Sequence, residues 1–412
     1  MSLLERPAAP APTVREVLRD WGPGYATNGF IGFLFSATGP VAIILAAAAR
    51  GGLTAAELAS WLFGAFFING AITFAMSWRF RMPLCFYWTI PGTVLVGQAL
   101  QHLSFPEVIA GYVMSALLIL LVGLSGLVRR ATEAVPMPIV MGMVAGVFLR
   151  FGLDLVRALG TDPALAWPMV AAFVGLGATA LGRRLPPLIG ALLAGAVAAL
   201  LLGRLGGGGL AGLALAHPVL HVPQPSWAVL AELVVPLAIT VLVVQNGQGF
   251  AILAQAGHAA PLNTCTVVCG LGSLAGAAVG AVNTCVTGPT AALIVASGEP
   301  RRHYTAALTT AALAIVFGLL APTVTGLLLG APPALIAVLG GLAMLRVLGS
   351  AFATAFSGRF ATGALVSFLV TVADVPLLGI GGAFWGLVGG LAVSALLDRA
   401  DWPSIAGRRP PS

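Results

Sequence analysis

Lysine is missing from this chain altogether, and charge of either sign is scarce. All 20 basic residues are arginine, the acids number 13, and charged residues make up 8% of the 412. Soluble domains carry about a quarter. A soluble globular fold is therefore excluded, and the net charge of +7 reads as membrane topology rather than as a nucleic-acid surface. Cysteine is almost absent. Cys85, Cys265, Cys269 and Cys285 lie in apolar segments without the tight spacing and His or acid partners of a metal cluster, so they read as small buried residues. No nucleotide-binding loop, nucleophile elbow, zinc motif or haem motif is present. A primary pump, a membrane-embedded enzyme and a cofactor are thus not expected. Residues 1–20 are Pro/Ala-rich and charged and lack the apolar core of a signal peptide, so no cleavage is expected.

What the chain has is apolar length. It is 59% hydrophobic, with a mean hydropathy of +1.01. Its 53 glycines and 28 prolines suit close helix packing and broken helices. Apolar windows fall into fourteen segments: 27–49, 57–78, 83–101, 106–128, 136–158, 163–182, 186–204, 228–250, 261–281, 284–298, 303–328, 332–355, 360–374 and 379–397. Fourteen crossings place Arg6, Arg15, Arg19, Arg79, Arg81, Arg129, Arg130, Arg183, Arg184, Arg301, Arg302, Arg359, Arg399, Arg408 and Arg409 on one side. The other side receives mainly Glu57, Glu107, Asp162 and Asp374, with Arg50, Arg157 and Arg204 near segment ends. The positive-inside rule then puts both termini in the cytoplasm.

A Gly/Pro-rich linker at 205–227 separates a first set of seven segments, 27–204, from a second, 228–397. The tails are 1–26 and 398–412. Seven is odd, so the two sets run in opposite orientation, as in an inverted repeat. The expected fold is an all-α polytopic membrane protein of this seven-plus-seven kind. Two echoes support it. Leu149-Arg150 and Leu345-Arg346 stand 196 residues apart in the fifth segments. In the third segments, 198 residues apart at their threonines, Tyr87-Trp88-Thr89-Ile90-Pro91-Gly92-Thr93 matches Asn283-Thr284-Cys285-Val286-Thr287-Gly288-Pro289-Thr290.

Those two runs form one device. An irregular segment ends at Thr, a Pro/Gly pair follows, and a short apolar helix begins. Thr is an N-cap residue, Pro suits the first helical turn, and a helix tip buried in a membrane offers N–H groups and partial positive charge to an anion. Thr89, Pro91, Gly92, Thr287, Gly288 and Thr290 are candidate binding residues on that ground, with Asn283 and Thr284 before the second tip. The alternative is that the Pro/Gly pairs are kinks. Tyr87 and Trp88 either stack on an apolar ligand or belong to an interfacial belt. Gln245, Asn246 and Gln248 either line the site or bond between helices. Asn28, Ser36 and Thr38 occupy the pseudo-symmetric first segment. The candidate proton-coupling acids are Asp154, Glu232 and Asp374, and the protonated substrate itself is the alternative carrier. Arg150 and Asp154, four apart, read as a local ion pair. Glu232 reads as a solvated helix end, although it shares a segment with the amides some 20 Å away. Arg346 has no adjacent acid.

Asn28-Gly29-Phe30, the run Phe35-Ser36-Ala37-Thr38-Gly39-Pro40 with Ala42-Ile43-Ile44-Leu45, Trp88-Thr89-Ile90-Pro91-Gly92 and Thr287-Gly288-Pro289 resemble the bacterial benzoate–proton symporter family (BenE-type). The resemblance covers nearly the whole chain and extends in architecture to nucleobase–cation symporters and sulfate permeases. It implies a core domain of 27–128 plus 228–328 and a gate domain of 136–204 plus 332–397. It implies short strands before the half-helices of segments three and ten, a substrate between their tips, and homodimers. Nucleobase symporters carry carboxylates in segments eight and ten. Amides stand here, at Gln245, Asn246, Gln248 and Asn283, which argues against a nucleobase and leaves the proton carrier unassigned. A sulfate permease would add a C-terminal domain, whereas about fifteen residues follow segment fourteen. The resulting expectation is import of benzoate or a similar aromatic carboxylate with protons, by alternating access, across the bacterial inner membrane. Another anion permease of the same fold and an anion channel are the alternatives.

Overall fold

Apolar sequence in a membrane folds as helix because the bilayer supplies no partners for backbone N–H and C=O groups. The computed structural model describes residues 4–128, 136–179, 187–204, 213–375, 377 and 382–404. Arg6 is among them, whereas Arg129, Arg130, Arg183, Arg184, Arg408, Arg409, part of the 205–227 linker and the side chain of Arg346 lie outside the described residues.

After a short helix α1 (Val14–Asp20), the chain forms α2 (Pro23–Ala37) and α3 (Gly39–Arg50), which meet at Thr38. Helix α4 runs from Ala55 to Phe80 through a π turn at Gly64–Ile68. Strand β1 (Phe86–Trp88) leads into the short α5 (Ile90–Ala99), followed by α6 (Phe105–Ser125). Then come α7 (Met137–Thr161), α8 (Pro163–Ala178) and α9 (Pro187–Leu201). Helix α10 (Trp227–Gln255) contains two π stretches, Leu230–Val234 and Thr240–Gln245. It is followed by α11 (Leu262–Ala278), strand β2 (Thr284–Val286) and α12 (Gly288–Val295). The last helices are α13 (His303–Leu319), α14 (Ala321–Leu329), α15 (Pro333–Ala355), α16 (Ala361–Ala373) and α17 (Gly382–Leu397). Capping boxes at Thr54/Glu57 and Ser104/Glu107 start α4 and α6, as residue type and spacing dictate.

By length and composition the described helices supply six membrane crossings, or seven when the stretch ending at Leu319 and α14, bent by 73°, count together. The fourteen apolar windows are therefore not fourteen long helices. Five hold apolar helices of 13 to 17 residues, and windows three and ten hold only the half-helices α5 and α12. A window average registers apolarity and does not see where the backbone leaves the helix. Helices α7–α9 pack chiefly with α15–α17, and α2–α6 with α10–α14. One apolar cluster joins Phe33, Trp61, Phe66, Ile109 and Val229. A second joins Val144, Phe148, Leu339 and Leu387, and takes in Ile43 of α3 and Ile90 and Val94 of α5.

One expected ion pair is replaced. Arg150 bonds Asp374 at 2.7 Å, not Asp154, which pairs with Arg157 at 2.9 Å. Asp374 ends α16 in a left-handed conformation (φ 48°) and also accepts the Gly382 N–H at 3.3 Å, so its carboxylate joins α7 to the start of α17.

At the centre, β1 and β2 pair antiparallel, with Phe86 opposite Val286, Tyr87 opposite Cys285 and Trp88 opposite Thr284. A two-stranded ribbon has two open edges, and inside a helical bundle each edge group needs a partner. Side chains provide several of them. The Thr73 hydroxyl accepts from the Phe86 N–H at 2.8 Å and donates to the Phe86 carbonyl at 3.0 Å. Asn246 accepts from the Val286 N–H at 2.7 Å, and Ser273 from the Thr284 N–H at 2.9 Å. Gly249 lets α10 approach the ribbon, since a Cβ there would stand 2.8 Å from the Val286 carbonyl oxygen.

Asn246→Leu removes the acceptor for Val286 and leaves its N–H buried without a partner. That change is expected to cost about 1–3 kcal/mol. The check is the thermal midpoint of the purified protein in detergent, which should fall; an unchanged midpoint would show that the ribbon does not depend on this bond.

Candidate functional site

The ribbon fixes both half-helix starts. Beyond the paired residues the ladder continues, with the Thr89 N–H on the Asn283 carbonyl and the Thr287 N–H on the Cys85 carbonyl, both at 3.0 Å. Thr89 and Thr287 therefore sit at opposite ends of one ribbon, about 13 Å apart by the usual strand rise. Each is the N-cap of its helix, with Pro in the first turn.

The two tips are not equivalent. At α5 the Thr89 hydroxyl accepts from the Gly92 N–H at 3.2 Å and donates to Thr240 at 3.0 Å, which donates to the Leu237 carbonyl at 2.8 Å. Gly92 is needed there because a Cβ would collide with the Thr89 side chain. That tip is closed by its own cap. At α12 the Thr287 side chain makes no capping bond. This corrects the expectation of two equal Thr caps: the residue and its position are right, but the hydroxyl is not turned onto the first turn. The N–H groups of Gly288 and Thr290, in the first turn of α12, are thus left to another acceptor. Gln248, exposed, lies on this tip, since a Cβ on Gly288 would meet its Oε1 at 2.6 Å. The Thr290 hydroxyl shares a 3.1 Å bond with Ser36, which also reaches the Gly32 carbonyl at 3.1 Å. No basic residue occurs in 82–100 or 282–298. The positive potential at α12 is accordingly that of the backbone.

Adjacent on the ribbon, the Tyr87 and Trp88 rings meet edge-to-face with centroids 5.7 Å apart. Tyr87 shares a 3.2 Å bond with Thr310. Phe66 meets Tyr87 edge-on at 6.0 Å and Trp88 at 5.0 Å. Both rings are buried in the protein interior, and Trp88 Nε1 has no hydrogen-bond partner. An interfacial belt is not where they are.

Several candidates hold the framework instead. Asn246 bonds the ribbon, as above. Asn283 accepts from Ser115 and donates to the Tyr112 carbonyl, each at 3.2 Å. Thr284 donates to Asn69 at 2.7 Å. Gln245 is buried at the end of the second π stretch, and Pro91 sits in the first turn of α5. Asn28 donates to the Leu293 carbonyl at 3.1 Å, and Thr38 to the Leu34 carbonyl at 2.8 Å. Among the acids, Asp154 is outward beside Arg157, and Asp374 is held by Arg150. Glu232 is not a solvated helix end: it is 6% exposed and meets His102 Nε2 at 2.9 Å. His102 was not legible as a functional residue; its only signal is its place just after the first half-helix.

Residues 20–396 match the benzoate membrane transport protein family (BenE). The chain is 29% identical over 393 residues to the benzoate membrane transport protein of Acinetobacter baylyi, covering 93% of this chain and 98% of that one. It is 30% identical over 369 residues to the inner membrane protein YdcO of Escherichia coli, covering 88% and 93%. The fold is similar to the transmembrane domain of a cyanobacterium bicarbonate transporter, BicA (TM-score 0.59, 14% identity, 92% of this chain and 99% of that one). It is also similar to the murine anion transporter Slc26a9 in an inward-facing state (TM-score 0.59, 14% identity, 95% and 73%). A helical membrane protein with this match over most of its length is a transporter rather than an enzyme, and it belongs to the benzoate membrane transport protein family.

Proposed function

We propose that this protein imports benzoate, or a similar aromatic monocarboxylate, together with protons across the bacterial inner membrane. The open α12 tip carries the reading. It offers backbone N–H groups, the Thr287 and Thr290 hydroxyls and the Gln248 amide, with no basic side chain in the flanking segment. A helix N-terminus favours a monoanion by about 0.3–1 kcal/mol at exposed sites, and more where water is excluded. The α5 tip, closed by Thr89, takes the other end of the ligand, where apolar surface suits a ring. Ser36, Tyr87 and Trp88 stand around this space as hydroxyl and aromatic wall. The names of the relatives in Acinetobacter baylyi and Escherichia coli support both the substrate and the membrane.

The wider arrangement proposed with it is the seven-plus-seven inverted repeat with both termini cytoplasmic. In it α2–α6 and α10–α14 form the core, α7–α9 and α15–α17 form the gate, and the protein works as a homodimer. The partition of packing between these two groups supports the division. Transport then proceeds by movement of the core, which carries both tips, against the gate.

Uptake of labelled benzoate into proteoliposomes tests the reading. Saturable uptake stimulated by an inward proton gradient is expected, with uracil and sulfate as weak competitors. Current without saturation or gradient dependence is the behaviour of an anion channel and overturns it. Benzamide keeps the ring and loses the charge, so it should compete at least about tenfold more weakly than benzoate, a difference near 1.4 kcal/mol. Equal competition by benzamide would rule out an anion at the helix tip.

Gly288→Ala places a methyl group on Gln248 at the tip itself. Its KM for benzoate should rise about tenfold or more while the protein still inserts and purifies as the parent does. A KM unchanged from the parent would move the carboxylate site away from α12.

A further inference from the structure

Resting on that reading of proton-coupled uptake, we propose that the coupling proton is taken up and released by the His102–Glu232 pair. The pair forms a clasp between the foot of half-helix α5 and helix α10.

Elimination narrows the candidates. Asp374 is bonded to Arg150, and Asp154 to Arg157. A carboxylate on an arginine that never releases its own proton is a poor shuttle. At the other end of α10, His258 meets His303 at 3.1 Å. Burial and the neighbouring His303 push the His258 imidazole, in the connection after α10, down to about 4. That ring stays neutral near pH 7. Among the described residues, Glu232 is the buried membrane-segment carboxylate that pairs with an imidazole.

The geometry fits a shuttle. Glu232 is 6% exposed and His102 is 38% exposed, so the imidazole meets water on one side and the buried carboxylate on the other. A proton arriving from water forms imidazolium beside carboxylate, which leaves the buried pair neutral. Its departure leaves the carboxylate with an uncharged ring, and the 2.9 Å contact loses its charge assistance. No bond but the N–H is made or broken. Helix α6 packs on the Glu232 stretch and brings Glu107, held in its capping box by Ser104 at 2.9 Å and within electrostatic reach of His102, and Tyr112, whose hydroxyl is buried. Neither α5 nor α17, which also pack on this stretch, carries a titratable group. Glu57, 22% exposed at the start of α4, faces His221 at 3.6 Å.

The pair also has a mechanical route to the substrate. Helices α5 and α10 are tied at the tip by Thr89 and Thr240 at 3.0 Å, and at the foot by His102 and Glu232. Losing charge assistance at the foot loosens one of two ties on the helix whose start faces the ligand. Glu232 lies in a π stretch, where the helix has an alternative hydrogen-bond register available.

The test uses proteoliposomes containing a trapped pH dye, with labelled benzoate. Three quantities are read: protons entering per benzoate, accumulation driven by a pH gradient, and counterflow of labelled against unlabelled benzoate at equal pH. His102→Gln and Glu232→Gln should each cut gradient-driven accumulation at least tenfold and abolish proton entry, with counterflow within threefold of the parent. Retained counterflow shows that the variants fold and bind. Should Glu232→Gln fail to fold, His102→Gln, at the half-exposed position, decides alone. A parent-like proton-to-benzoate ratio in His102→Gln overturns the assignment, as does loss of accumulation in Asp154→Asn or Asp374→Asn with both pair variants unaffected. A parent protein that moves benzoate with no proton entry overturns the symport reading itself.

Discussion

The whole arrangement depends on one requirement: irregular backbone at the centre of an apolar bundle must find every hydrogen-bond partner inside the protein. In the ribbon of Phe86–Trp88 and Thr284–Val286, Thr73, Asn246 and Ser273 bond the outward N–H groups of Phe86, Val286 and Thr284, and Asn283 and Thr284 bond outward to the surrounding helices. Each helix that touches the ribbon contributes a small polar group at the level where it is needed. Scattered Thr, Ser and Asn in otherwise apolar helices are therefore scaffold, and they set the positions of both half-helix tips.

Once the scaffold is fixed, the site is defined by what it leaves unbonded. The α5 tip is completed by Thr89 and tied to Thr240. The α12 tip lacks its side-chain cap, and an exposed amide leans over it. Two tips with one sequence device thus differ, the first closed by its side-chain cap and the second open. Backbone donors suit a single weakly hydrated carboxylate better than a dianion, which would call for fixed positive charge.

Much of this was legible from residues alone. Apolar length, arginine placement and the duplicated Thr-(Gly/Pro) runs identified a membrane transporter with two broken segments, and the first-segment and Trp-Thr-Ile-Pro-Gly runs identified the family. The division of labour among polar residues was not. Asn246 and Gln248 look alike in sequence, yet two residues turn a helix by about 200°, so one faces the ribbon and the other the tip. Arg150 and Asp154 have the spacing of a local pair, but a carboxylate from a distant helix end took its place. The His102–Glu232 contact joins residues 130 apart through tertiary packing, which no local pattern reports. The breaks in the third and tenth segments were legible because each is marked by its own Thr-(Gly/Pro) run.

The ribbon also has a consequence for biogenesis. Its strands come from the two halves of the chain, with Tyr87 opposite Cys285. As the chain is synthesised, the first strand and its half-helix enter the membrane long before the second strand exists. Until then the inner edge of Phe86–Trp88 has no backbone partner, and Thr73 can satisfy only the outer one. The first half therefore waits with that edge incompletely bonded until nearly two hundred further residues have been made. A contact of such sequence separation forms late. The ribbon can close only once the second strand has been made, and a chain truncated before it lacks the strand against which the first tip is fixed.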